Sequence, residues 1–208
     1  YPNEWYSSHW GSYRHYYRNP SQIEACFEWE ASSFGTWDFP DPTFDHDHEG
    51  HWGWRADEIL ADLPVWLAGY TPDVALIHLG SNDAIQGNSV ASTLQEIEDI
   101  IGILRNDNAG ITIFLAQILP LEDAVWNANV NGINAGLATL ASNLDQAQSR
   151  IILVDQNSGW NIANFTYDGV HPNLDGEERM AQRWFTAFDA FYSSVNEAPE
   201  ITGQQTLS

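Results

Sequence analysis

The stretch "YDGVHPNLDGEERMAQRWF", residues 167–185, places Asp168 three residues before His171 and ahead of a segment with helical periodicity. A carboxylate three residues back in a turn can accept a hydrogen bond from imidazole Nδ1, which leaves Nε2 to serve a nucleophile. We therefore predict that His171 is a general base and that Asp168 orients it. The alternative for His171, taken alone, is a loop or core histidine.

Two further polar groups are expected near the ends of strands. "GSND", residues 80–83, directly follows a continuous apolar run, and "DHEGHWGW", residues 47–54, leads into a helical pattern near Arg55. Ligands of open parallel α/β sheets bind outside the carboxyl ends of the strands, so Asn82 is predicted to lie at the rim of a ligand site. The alternative for Asn82 is a turn residue that caps the next helix.

The elements that position these residues follow from the hydrophobic periodicity. Three apolar runs predict buried strands: "DVALIHLG", "ITIFLAQILP" and "RIILVD". Four segments with helical spacing alternate with them: "DEILADLPVWLAGY", "SVASTLQEIEDIIGILRND", "AVWNANVNGINAGLATLASNLDQAQS" and residues 174–195. Apolar strands that alternate with helices indicate a parallel sheet covered on both faces. We therefore predict an α/β fold, a three-layer α/β/α sandwich that is flavodoxin-like in outline.

The composition limits the domain count and the partners. A chain of 208 residues favours one domain, here residues 1–195, and the polar residues 196–208 indicate a linker or the start of a following repeat module. Seven basic residues, all arginine, against 29 acidic ones give a net charge of -22, which disfavours nucleic acid and anionic membranes as partners. The single cysteine, Cys26, rules out an intrachain disulfide and a thiolate metal site. No apolar run is long enough to predict a membrane-spanning segment.

The ordered blocks "GSND" and "DGVHP" together resemble those of the SGNH, or GDSL-like, hydrolases. "GSYR", residues 11–14, and "DHEGHWGW" are further similar to the acetylxylan-esterase-like carbohydrate esterases. The resemblance implies ester hydrolysis through an acyl-serine, with His171 as the base and Asp168 as its partner. It also implies that the Asn82 side chain and the Gly53 backbone N–H bind the oxyanion, that the substrate is an acylated carbohydrate or small ester, and that no cofactor is needed. Export from a bacterium, beside other domains of a larger polypeptide, is implied by the family and by the polar tail.

The serine that defines this family is missing from the sequence. No Gly-Asp-Ser block occurs, and Ser7, Ser8 and Ser12 do not follow an apolar run that could form a buried strand. We therefore expect that the sequence is an amino-terminally truncated part of a longer protein. The strand that ends in that block would be central, so its loss is expected to leave a gap between neighbouring strands.

Two alternatives to a catalytic serine esterase remain open. Trp52 and Trp54, with Trp5 and Trp10, could form an aromatic rim that stacks on sugars, which would suit a non-catalytic carbohydrate-binding module derived from such an esterase. The stretch "FDHDHEGH", residues 44–51, offers histidines and carboxylates as metal ligands, which would suit a metallohydrolase. Part of that stretch also matches the esterase block, so we favour the esterase interpretation and assign no metal ligand, while metal binding by residues 44–51 stays open.

Overall fold

A computed structural model describes residues 26–27 and 49–196 of the chain. Its strands are β1 (Cys26–Phe27), β2 (Val74–Ile77), β3 (Thr112–Ala116) and β4 (Ile151–Val154). Its helices are α1 (Ala56–Trp66), α2 (Ser81–Gln86), α3 (Val90–Asp107), α4 (Ala124–Leu144), α5 (Ile162–Phe165) and α6 (Leu174–Asn196). No helix within these described ranges has the length and apolar character needed to cross a bilayer.

The described strands form one parallel sheet in the order β1-β2-β3-β4. Val74 pairs with Thr112, and Ile113 pairs with Ile151, so successive strands are neighbours that long helices connect. This arrangement confirms the predicted parallel α/β fold. β1 pairs directly with β2, Cys26 opposite Leu76, so the expected gap does not separate these two strands.

Both faces of the sheet are covered, which explains why its strands are apolar throughout. Alternate residues of a strand point to opposite faces. Ala75 and Ile77 belong to the core that contains residues of α1, α3 and α4, whereas Leu76 belongs to the core under α6. On the α6 face, the Phe114 ring stacks on Phe188 with centroids 4.1 Å apart.

The four long helices lie where the periodicity predicts them, with differences at their ends. α4 ends at Leu144 although the helical pattern continues to residue 149. Asp145 is the reason, because its Oδ1 accepts a hydrogen bond from the Ile151 N–H, 2.8 Å away, and so stabilises a turn into β4. The short helices α2 and α5 were not predicted, since neither is long enough to show a period.

Several predictions fall outside the described residues. These are the tail beyond Asn196, the "GSYR" match, Ser7, Ser8 and Ser12, the tryptophans Trp5 and Trp10, and the part of the histidine-rich stretch before Glu49.

A buried amide joins the loop after β3 to helix α4. Asn134, which is 5% exposed, accepts a hydrogen bond from the Ile118 N–H at 2.8 Å and donates one to the Ile118 carbonyl at 2.9 Å. Asn157 donates to the same carbonyl at 3.0 Å. Asn134 therefore fixes the start of the loop whose next residues, Leu119 and Leu121, line the cavity described below.

Replacing Asn134 with alanine is expected to lower the free energy of unfolding by about 1–3 kcal/mol, because the buried Ile118 N–H loses its acceptor. Chemical denaturation of the two proteins measures the difference. Asn131→Ala is the matched control, since Asn131 is exposed on the same helix, and its effect should stay within about 0.5 kcal/mol. Equal effects of the two substitutions would show that the Asn134 amide does not hold the loop.

Candidate active site

The carboxyl end of β2 leads into α2 through Gly80, which has a φ of 118°. That conformation favours glycine, because other residues place Cβ against the backbone there. The chain therefore turns sharply after the strand, and the "SND" side chains of the first turn of α2 lie at the edge of the sheet.

Asn82 lies within α2 and does not cap it, because Gly80 is the N-cap residue. Its Nδ2 donates to the Trp54 carbonyl oxygen at 2.9 Å. An amide nitrogen carries two hydrogens, and among the described residues no acceptor takes the second one. The bond to Trp54 thus orients the Asn82 amide with one N–H available to a ligand.

Gly53 lies in a turn that the Trp54 N–H closes by donating to the His51 carbonyl at 3.2 Å. Its φ of 78° is the left-handed conformation that the third residue of such a turn needs, and glycine adopts it without strain. In the described part of the chain, the Gly53 N–H has no hydrogen-bond acceptor. It is therefore available as a second donor to a ligand.

Asp83 connects α2 to the segment that follows the Gly53 turn. Its carboxylate is fully buried and accepts hydrogen bonds from the Ala56 N–H at 3.1 Å, from Asn88 Nδ2 at 3.1 Å and from Thr93 Oγ1 at 3.3 Å. Burial raises the pKa of this carboxyl, although these bonds oppose the shift. The Ala56 N–H is one of the unpaired donors at the start of α1, so Asp83 fixes that helix start beside Asn82.

Asp168 and His171 form the predicted pair. His171 Nδ1 lies 2.7 Å from Asp168 Oδ2, and Asp168 Oδ1 accepts from the backbone N–H groups of Val170 and His171 at 3.0 and 2.8 Å. Burial raises the pKa of the Asp168 carboxyl. The hydrogen bonds from His171 and Val170 together lower this pKa by more than burial raises it, so the net shift is downward. A carboxylate that stays ionised holds imidazole Nδ1 protonated and orients the ring, as a general base requires.

The loop of this pair is held on both sides. The Tyr167 N–H donates to the His171 carbonyl at 2.8 Å, and the Glu122 N–H donates to the Gly169 carbonyl at 2.9 Å. Gly169 has a φ of 84°, and a Cβ there would lie 2.6 Å from the Glu122 Cβ. Glycine is therefore required at this position, and the "DGVH" pattern encodes both the chemistry and its support.

One cavity of about 610 Å³ joins the predicted residues. Gly53, Asn82 and His171 all line it, and Trp52 and Trp54 do so as well. Trp52 is 69% exposed and stands at the rim. Trp54 instead packs against the core, and its ring stacks on His51 with centroids 4.3 Å apart. Of the two tryptophans predicted to stack on sugars, Trp52 is therefore the one that is exposed to a ligand.

The described end of the histidine-rich stretch is occupied by internal contacts. Glu49 accepts a hydrogen bond from the Tyr70 hydroxyl at 3.2 Å, and its other oxygen lies 3.5 Å from His51 Nε2. The His51 ring is stacked between Trp54 and Trp66. These contacts give Glu49 and His51 a structural role on the wall of the cavity.

Sequence reasoning missed three residues of the site: His78, Asp83 and Gln86. His78 falls within the apolar run "DVALIHLG", which gives it no role, yet it lines the cavity, and burial lowers the pKa of its imidazole to about 4. Gln86 donates to the Gly53 carbonyl at 2.8 Å. Gln86 stands four residues after Asn82, a spacing that puts both on one face of a helix. A helix over "SNDAIQ" therefore predicts that Gln86 lies beside Asn82.

The sequence matches the model of the GDSL-like lipase/acylhydrolase family over residues 16–179. The chain belongs to this family of ester hydrolases. The match confirms the resemblance that the "GSND" and "DGVHP" blocks carry, and the parallel sheet agrees with it.

Similar proteins include carbohydrate esterases. The chain is 28% identical over 158 residues to a multidomain esterase of Ruminococcus flavefaciens, an alignment that covers 74% of this chain and 20% of that protein. A family 3 carbohydrate esterase of Talaromyces cellulolyticus has a similar structure, with a TM-score of 0.67, 25% identity, and 74% of this chain and 75% of that one covered. The crystal structure of an acetyl esterase, a serine-to-alanine mutant with an acetate ion, has the same TM-score of 0.67, identity of 25% and coverage of 74% and 75%. The chain thus spans about a fifth of the length of its multidomain relative.

His78 should make the free energy of unfolding depend on pH. Its pKa of about 4 in the folded protein lies below the ordinary 6.5, so between these values the unfolded chain binds a proton that the folded protein does not. Stability that this group contributes is therefore lost as the pH falls from 6.5 towards 4, by up to about 3 kcal/mol.

We expect that His78→Gln makes the free energy of unfolding less dependent on pH in that window, whereas above pH 7 the difference between the two proteins should be constant. Urea denaturation at half-unit pH steps measures both curves. Parallel curves between pH 6.5 and 4 would show that His78 is not held neutral by burial.

Proposed function

We propose that this domain hydrolyses O-acyl esters, and specifically acetyl esters on polysaccharide, through an acyl-serine. The observation that carries the proposal is that His171, whose Nδ1 lies 2.7 Å from Asp168 Oδ2, lines one cavity with Asn82 and Gly53, the residues that supply the two N–H donors. A base, its orienting acid and two oxyanion donors are the parts that acyl transfer to and from a serine requires.

In the proposed reaction, His171 Nε2 takes the proton of a serine hydroxyl as its Oγ attacks the ester carbonyl carbon. The carbonyl oxygen becomes an oxyanion that accepts hydrogen bonds from Asn82 Nδ2 and from the Gly53 N–H. The ester C–O bond then breaks, and His171 returns the proton to the leaving sugar hydroxyl. Water repeats the sequence on the acyl-serine and releases the acid. Each oxyanion donor typically contributes about 2.7–4 kcal/mol in the transition state.

The nucleophile is proposed to be the serine of a Gly-Asp-Ser block outside residues 1–208, because the sequence contains no such block. Ser81 lines the cavity and is therefore the alternative that the geometry raises. It lies at the start of α2, in the block that supplies Asn82, and the assay below includes it.

The substrate class is supported by the rim and by the relatives. An exposed indole such as Trp52 presents a flat apolar face, which suits stacking on a sugar ring. Two similar structures are an acetyl esterase and a carbohydrate esterase. The net charge of -22 would repel anionic esters and favours a neutral acylated carbohydrate. We further propose that the domain works beside others in an exported protein. The multidomain relative supports the presence of further domains.

The test measures acetate release from 4-nitrophenyl acetate and from acetylated xylan. It compares the 208-residue chain with a longer protein that includes the upstream coding sequence. We expect low activity for the short chain and full activity for the long one. In the long protein, His171→Ala should lower kcat by about 10³-fold or more, because triad members act as a unit. Asp168→Asn should also lower kcat strongly, because the amide no longer holds the His171 ring as the carboxylate does. Its control is Asp175→Asn, on an exposed residue of α6, which should change kcat less than about twofold.

Three other outcomes would change the proposal in different ways. Activity of the short chain that Ser81→Ala removes would place the nucleophile at Ser81. Binding of acetylated xylan without hydrolysis by either protein would favour the carbohydrate-binding module. Activity that a chelator removes and zinc restores would favour the metallohydrolase.

A further inference from the structure

We propose that Gln86 is a positioning residue that holds the Gly53 peptide in the geometry the oxyanion requires. The inference rests on the proposed function, because it assumes that the Gly53 N–H is an oxyanion donor. It goes beyond that function by assigning the support of this donor to a side chain outside the "GSND" block.

Gln86 contacts Gly53 directly, and Arg55 determines how its amide is turned. Gln86 Nε2 donates to the Gly53 carbonyl at 2.8 Å, while Gln86 Oε1 accepts from Arg55 Nη1 at 2.8 Å. Arg55 is itself fixed by Asp57, whose two carboxylate oxygens accept from Nε and Nη2 at 2.9 Å each. A guanidinium can only donate, so Oε1 must face Arg55 and Nε2 must face Gly53.

Gly53 needs such a contact because packing does not hold it. Apart from Gly53 and its two chain neighbours, no described residue has a heavy atom within 4 Å of a Cβ placed on Gly53, and the preceding Trp52 side chain is 69% exposed. Glycine also has the largest backbone freedom of any residue. Hydrogen bonds are therefore what remains to fix this turn.

Two side chains on one face of α2 share that task. Asn82 binds the carbonyl of Trp54, and Gln86 binds the carbonyl of Gly53. Without Gln86, the turn keeps only the bond from the Trp54 N–H to the His51 carbonyl and the bond from Asn82 to the Trp54 carbonyl. The neighbouring Trp52–Gly53 peptide, which carries the Gly53 N–H, is then less restrained and can rotate. A misplaced donor weakens binding of the oxyanion but not of the neutral ester, so the loss belongs to kcat and not to KM.

Three variants separate the contacts. Gln86→Met removes both hydrogen bonds at similar length. Gln86→Glu keeps an acceptor for Arg55 but removes the donor to Gly53. Gln95→Met is the matched control, because Gln95 is an exposed glutamine whose Nε2 donates to Asp99 at 3.0 Å on α3, outside the cavity lining.

The first measurement is the ¹⁵N order parameter of the Gly53 N–H in the 208-residue chain, which needs no substrate and no nucleophile. We expect about 0.85 in the wild type and in Gln95→Met, and below about 0.6 in both Gln86 variants. The second is acetate release by the longer protein, in which kcat should fall three- to tenfold in both Gln86 variants while KM stays within twofold.

An unchanged Gly53 order parameter in Gln86→Met, or wild-type behaviour of Gln86→Glu, would overturn the inference. A fall in kcat with Gly53 still rigid would overturn it as well. If the wild-type protein hydrolyses no ester, the proposed function fails, and the order parameters still decide whether Gln86 positions Gly53.

Discussion

The contact between the side chains of α2 and the backbone of residues 53–56 is the interaction on which the site depends. Neither segment could hold its place alone, since α2 is a helix of only 6 residues and the turn at Gly53 is open on one side. The fully buried Asp83 carboxylate joins them through the Ala56 N–H. Burying a charge is costly unless it is well hydrogen-bonded, and the three donors around Asp83 offset part of that cost. The Asp83 contact therefore holds the Asn82 amide and the Gly53 peptide at a fixed distance from each other.

The proposed catalytic pair has an independent support on the other side of the cavity. The loop of Asp168 and His171 is hydrogen-bonded to Glu122, in the loop that follows β3 and begins at Ile118. Asn134 fixes the start of that loop from α4. The proposed base and the proposed oxyanion donors thus belong to different strand ends, which the parallel sheet brings to one edge. Such a division suits acyl transfer, because each half can be rigid before the substrate binds.

Much of the fold was predictable from the sequence, because the strands are buried on both faces and the long helices carry a clear apolar period. The Asp168–His171 pair was predictable because its spacing within one turn encodes its geometry. Gln86 and Asp83 were not, since their roles depend on a helix too short to show periodicity and on partners about 30 positions away in the sequence, such as Gly53 and Ala56. His78 was hidden within an apolar run, where a histidine is indistinguishable from any other strand residue. Trp54 was expected to be exposed like Trp52, and nothing in the sequence around it indicates that its side chain packs against the core.

If Asn82 and Gly53 form an oxyanion site, the reaction product acetate should bind there, and its binding needs no nucleophile. Acetate is added to ¹⁵N-labelled protein while the Gly53 backbone and Asn82 side-chain amide signals are followed by NMR. We expect both signals to shift together and to saturate with one dissociation constant, and we expect Asn82→Ala to weaken this binding. Unchanged Gly53 and Asn82 signals, with acetate binding elsewhere or not at all, would contradict it.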